Sequence, residues 1–145
     1  MGWISWALLS AVFAALTAIF AKVGVDRIDS DLATLVRTAV VLLLLGPFVL
    51  VTGKWSSPFA LPPRALGFLV LSAVATGASW VCYFRALQAG PVAQVASLDK
   101  LSVVLVALFA VVFLSERPSP LGWLGILLVG TGAVVIAFAA SRGGA

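Results

Sequence analysis

The 145-residue chain contains no histidine, one cysteine and one tyrosine. Without histidine there is no imidazole for a catalytic base or a zinc site. No nucleophile–base pair or His/Cys ligand cluster can be assembled either. An enzyme is therefore not expected, and neither is a metal or other cofactor. Cys82 alone cannot close an internal disulfide, so cysteine usage says nothing about redox compartment. Charge is also scarce: Asp, Glu, Lys and Arg make up 10% of the chain, against about 25% in soluble domains.

What is abundant is apolar side chain, at 63% of residues. A soluble domain of this size has too little interior to hide it. The apolar residues fall in blocks of about 20, the length that spans a bilayer as a helix. The expected fold class is an all-α integral membrane protein with five transmembrane helices in a single domain over residues 1–145, at about 3–21, 32–51, 65–87, 92–114 and 121–140. Barrel strands would alternate over about 10 residues, which these runs do not. The first block lacks a basic flank and a small-residue cleavage site, so it reads as a span and not as a signal peptide.

Polar stretches divide the blocks. KVGVDRIDSD follows the first, with Ser30 or Asp31 placed to cap the second helix. TGKWSSPFALPPR, residues 52–64, reads as a loop. Gly90-Pro91 reads as a helix stop followed by a start. SERPSP is a tight turn in which Glu116-Arg117 is expected to cap the last helix, and SRGGA is a polar tail.

Nine Lys and Arg face five Asp and Glu, a net charge of +4. The basic residues lie mostly at segment ends, where they anchor helices, so nucleic acid is not an expected partner and membrane lipid is. Lys54, Arg64 and Arg117 fall on one side, with the N-terminus. Lys22, Arg27, Arg85 and Arg142 fall on the other, with Arg37 if it snorkels back. This small bias places the N-terminus outside, and its near balance also allows insertion in both orientations.

Three helices carry stripes. Ser10, Ala14, Thr17 and Ala21 share a face of the first, and Ser72, Thr76, Ser79 and Tyr83 share one of the third, flanked by Trp80. Gly122, Gly125 and Gly132 share a face of the fifth. Small and hydroxylated residues suit close helix packing. The third-helix stripe suits equally a cavity wall for a moderately apolar ligand.

Asp99 and Lys100 are adjacent inside the fourth span, VASLDKLSVVLV. Asp99 lies about 12 Å from the helix start at 1.5 Å per residue. An ionised side chain there costs at least about 2.5–3.5 kcal/mol, so such residues face protein or water and are functional candidates. In a continuous helix the two point about 100° apart and do not face each other. Asp99 shares its face with Ser102, and Arg85 is a candidate partner across the short connection. Either Asp99 changes protonation during transport, with a proton and a cationic substrate competing for it, or it belongs to a fixed interhelical ion pair. Lys100 reaches toward a neighbouring helix, another chain or an anionic group. Lys22, Arg37 and Arg85, near helix ends, can snorkel to the interface.

The order AKVG, ATLVRTAVV, YFRALQAGPVAQV and LFAVVFLSERPSPLGWLGILLVGTGAVVI resembles an EamA domain, the repeat unit of the drug/metabolite transporter superfamily. The last block matches the family's "FLGERLS…Q..G..LI..G". The resemblance implies one EamA-type repeat acting as a secondary transporter of a small metabolite or drug, proton-coupled or exchanging, in a bacterial inner membrane. Most members carry two inverted repeats, so a single repeat implies an antiparallel homodimer with the site between protomers, lined by the first, third and fourth helices. Arg37 matches the arginine opening the second helix, Tyr83 and Ala86-Leu87 the end of the third, and Ser115 stands at the glycine of the "GER" turn. The family carries a proline where this chain has Ser102, so the kink that proline imposes is not expected. Related small multidrug resistance proteins carry a first-helix carboxylate where this chain has Ala14. Asp99 is then the one acidic residue deep in the membrane. Asp99, Lys100, Ser102, Tyr83, Trp80, Ser79, Thr76, Thr17, Arg37 and Arg85 are the candidate binding or coupling residues. The rival readings are a non-transporting membrane assembly subunit and a lipid-carrier flippase component.

Overall fold

The structure, a computed structural model, describes residues 2–57 and 60–143. Met1, Gly144, Ala145 and two residues of the expected loop, Pro58 and Phe59, lie outside the described residues. Six helices follow in order: α1 Trp3–Gly24, α2 Ser30–Val51, α3 Pro63–Ala89, α4 Val92–Asp99, α5 Leu101–Leu114 and α6 Pro120–Gly143. No strand occurs among the described residues. α1, α2, α3, the α4–α5 run and α6 are each long and apolar enough to cross a membrane. The protein is an all-helical integral membrane protein.

Its surface explains the composition. Phe113, Leu42, Leu121 and Val51 are among many large apolar side chains left open. In water such a surface would aggregate; against acyl chains it is solvated.

Local chemistry sets the helix ends. Asp29, and not Ser30 or Asp31, caps α2: its Oδ1 accepts from the Asp31 and Leu32 amides at 2.9 and 3.0 Å. Ser119 caps α6, accepting from the Gly122 amide at 3.1 Å, with Pro120 in the first helical position. Glu116-Arg117, expected in that role, precedes the cap; a hydroxyl one residue before the proline reaches the open amides more directly. α5 ends at Ser115, whose φ of 57° is left-handed.

The fourth span is not one helix. Lys100 separates α4 from α5, and no proline is involved. The Lys100 amide bonds the Ser97 carbonyl at 3.1 Å, and the Val103 amide bonds the Lys100 carbonyl at 3.0 Å. Both reach three residues back, the tighter 3₁₀ pattern. Ser97 contributes by donating its hydroxyl to the Ala93 carbonyl at 2.7 Å, a back-bond that bends helices.

The helices form two compact units, α1–α3 and α4–α6, divided between Ala89 and Gly90. In the first, α3 packs on both α1 and α2, and its core is Leu87, Val25 and Phe84. In the second, α6 packs on α4 and α5. The close approach there is at Gly130, where a Cβ would lie 2.8 Å from Val104 Cγ2. Gly125 and Gly132, expected on the packing face, meet open space.

Candidate functional site

The polar groups of the first unit gather where α1 ends, α2 begins and α3 ends. Lys22 Nζ donates to the Leu87 carbonyl at 2.6 Å. The Gln88 amide donates to the Val25 and Ile28 carbonyls at 3.3 and 3.1 Å, which ties the α1–α2 connection to α3. Arg85 binds Asp31 in a fork: Nε to Oδ1 at 2.9 Å and Nη2 to Oδ2 at 2.6 Å. This corrects the expectation that Arg85 partners Asp99. Asp31, expected as a cap, is the carboxylate that Arg85 uses.

Two turns into α2 from this cluster stands Arg37, with its guanidinium carbon 4.1 Å from the Trp80 ring centroid and 5.6 Å from that of Phe84. Trp80 and Phe84 are one turn apart on α3, so a single helical face presents both rings. Tyr83 is half-buried and interacts electrostatically with Arg37. Arg37 therefore does not simply snorkel. It lies over an aromatic face, where the ring quadrupole partly replaces water around the cation.

Arg37 faces a groove of about 570 Å³ between α1 and α2, floored by Phe84. Its walls come from apolar side chains such as Phe20, Val36, Val40 and Leu44. Thr17 and Arg37 are its two polar side chains, and no carboxylate lines it. Ala21 joins Thr17 there, while Ser10 and Ala14 of the same expected stripe are exposed.

A second groove, of about 370 Å³, lies between α2 and α3. Ser72, Thr76 and Trp80 line it opposite Thr34 and Thr38. The threonine hydroxyls donate to carbonyls of their own helices: Thr34 to Ser30, Thr38 to Thr34 and Thr76 to Ser72, at 2.7–2.8 Å. Their oxygens keep lone pairs for a donor. Ser79 is exposed and outside this groove, so the expected third-helix stripe divides: its first two members face α2 with Trp80, and Ser79 does not.

In the second unit, Lys100 Nζ lies 3.5 Å from Asp99 Oδ2, with 55% and 41% of the two side chains exposed. The expectation that neighbours cannot face each other holds for a continuous helix. Lys100 keeps right-handed helical dihedrals, and its long side chain bends back to reach Asp99 loosely. Ser102, expected on Asp99's face, lies beyond the break in the first turn of α5 and is exposed. The residues that sequence reasoning missed are Asp31, Phe84 and Gln88. The sequence signal for Asp31 is a second acid at one helix start, beyond the capping Asp29, and an arginine near another helix end.

The chain matches the EamA-like transporter family over residues 1–138. It is 55% identical to "Uncharacterized transporter in cobO 3'region" of Sinorhizobium sp over 135 residues, covering 93% of this chain and 96% of that protein. No solved structure matches it.

Proposed function

We propose, from the premise that this chain belongs to the EamA-like transporter family, that it works as an antiparallel homodimer moving a small metabolite or drug across a bacterial inner membrane. It is a membrane transporter with one such domain. The finer reading is secondary transport, coupled to protons or to exchange, through a site completed by the partner protomer.

The observation that carries this reading is the Asp99–Lys100 pair at the α4–α5 break, exposed by about half within a membrane-length run. Charges at that depth need protein or water around them. A second copy supplies such cover. Asp99 is the proposed coupling carboxylate, with Lys100 and Ser102 beside it. Arg37, Trp80, Tyr83, Thr17 and the Thr76 groove are the proposed substrate contacts, with Arg85 holding the unit together and Ser79 open to a partner copy.

The test is flux in proteoliposomes under a pH gradient, with crosslinking to follow the dimer. Asp99→Asn is expected to abolish proton-driven flux while the dimer persists. Normal flux in Asp99→Asn with loss of the dimer would instead support an assembly role. Cysteine labelling at both termini tests dual topology, and labelling from one side alone would overturn the antiparallel arrangement.

A further inference from the structure

The charges of the first unit are not equivalent. Arg85 is matched by Asp31 through both carboxylate oxygens, and Lys22 is tied to the Leu87 carbonyl. Arg37 has no ion pair or hydrogen bond with another described residue; it lies against the faces of Trp80 and Phe84 and interacts electrostatically with the neutral Tyr83 side chain. Stacking uses the face of a guanidinium, while its N–H donors radiate from the edge. A half-buried arginine held this way is oriented but not neutralised.

We propose that the groove between α1 and α2 binds a small organic monoanion, a carboxylate on an apolar body, with Arg37 as its counter-ion. This rests on the transporter reading and names its substrate class. The groove's volume, about 570 Å³, suits one drug-sized molecule. Phe20, Val36, Val40 and Leu44 take the apolar body, and the Thr17 hydroxyl supplies a second polar contact. One guanidinium balances one negative charge, so a dianion would leave a charge uncompensated in apolar surroundings. A zwitterion would bring an ammonium group, and no carboxylate lines the groove to receive it. A cation would meet Arg37 itself. The Arg85 fork keeps Asp31 engaged, which leaves the Arg37 edge for a ligand.

The experiment compares two probes of nearly equal shape, naphthylacetate and naphthylacetamide, by calorimetric titration of the purified protein in neutral detergent at pH 7. A charge-assisted bond to Arg37 is expected to favour the acid about tenfold or more. Arg37→Gln should bring the ratio near one, and Arg37→Lys, which keeps the charge and loses the fork, should fall between. Equal binding of acid and amide by the unsubstituted protein overturns the proposal, and this arm needs no variant to fold. A preference that survives in Arg37→Gln also overturns it. Adding phosphatidylglycerol separates the sources of anion: lipid binding that depends on Arg37, with no acid preference, assigns the groove to a headgroup and defeats the proposal.

Flux is measured separately in liposomes. Acid binding without flux of any compound sustains the anion site and removes the transport reading. Flux of neutral compounds, unchanged in Arg37→Gln and without acid preference, does the reverse.

Discussion

Arg85 on α3 and Asp31 on α2 form a two-bond fork between helix ends 54 positions apart in sequence, at 2.9 and 2.6 Å. Planar, bidentate pairing fixes direction as well as distance. It sets α3 against the start of α2, within two helical turns of where Arg37 meets Trp80 and Phe84. The fork therefore bears on the groove as well as on the fold.

Removing one partner tests that link. Asp31→Asn is expected to lower the melting temperature in detergent, and the double exchange Asp31→Arg with Arg85→Asp should restore part of it. Both side chains are about half exposed, at 48% and 62%, and many exposed pairs contribute nothing measurable. An unchanged melting temperature in Asp31→Asn would place this one among them.

Ser115 supports a prediction of the opposite sign. Its φ of 57° lies in the left-handed region, which costs an ordinary L-residue about 1–2 kcal/mol and glycine almost nothing. The Glu116 amide closes back on the Ala110 carbonyl at 3.1 Å, so the geometry is held by the end of α5. After allowing for the greater freedom of glycine in the unfolded chain, Ser115→Gly is expected to stabilise by about 0.5–1 kcal/mol. Ser115→Val should destabilise, because a β-branched side chain tolerates this conformation least. Thermal melts of both variants check the pair of signs.

Gly130 and Val104 form a packing pair between α6 and α5. A Cβ on residue 130 would meet Val104 Cγ2 at 2.8 Å, and valine in a helix has little rotamer freedom to yield. Overpacking costs about 1–3 kcal/mol, whereas the helix-propensity gain of alanine is about 1 kcal/mol. Gly130→Ala should therefore destabilise the protein. In a Val104→Ala background the same substitution should be neutral or stabilising. If the two effects simply add, the contact is not close in solution.

Much of the fold was legible along the chain because its signals are local. The five apolar runs and the polar connections each depend on a few consecutive residues. The helix caps were legible in kind but misassigned in place: Asp29 and Ser119 do the work expected of their neighbours. A cap is chosen by the dihedral angles of one residue, and several candidates stand side by side. The break at Lys100 was hidden for a different reason. Proline is the conspicuous breaker, and here a serine back-bond and two tightened turns take its place.

By itself, the sequence determined that this chain is a set of membrane-length helices, because hydropathy and length decide partition into a bilayer without reference to what each helix touches. It also identified Arg37, Trp80 and Asp99 as residues of interest, since polar groups in apolar runs are conspicuous. Only the tertiary structure decided which charge is satisfied and which is free to act. Asp31 is spent on Arg85, while Arg37 lies on Trp80 with its donors open beside an apolar groove. The reason is physical: a charge takes its partner from whichever helix end lies alongside it, and periodicity within one helix carries no information about its neighbours.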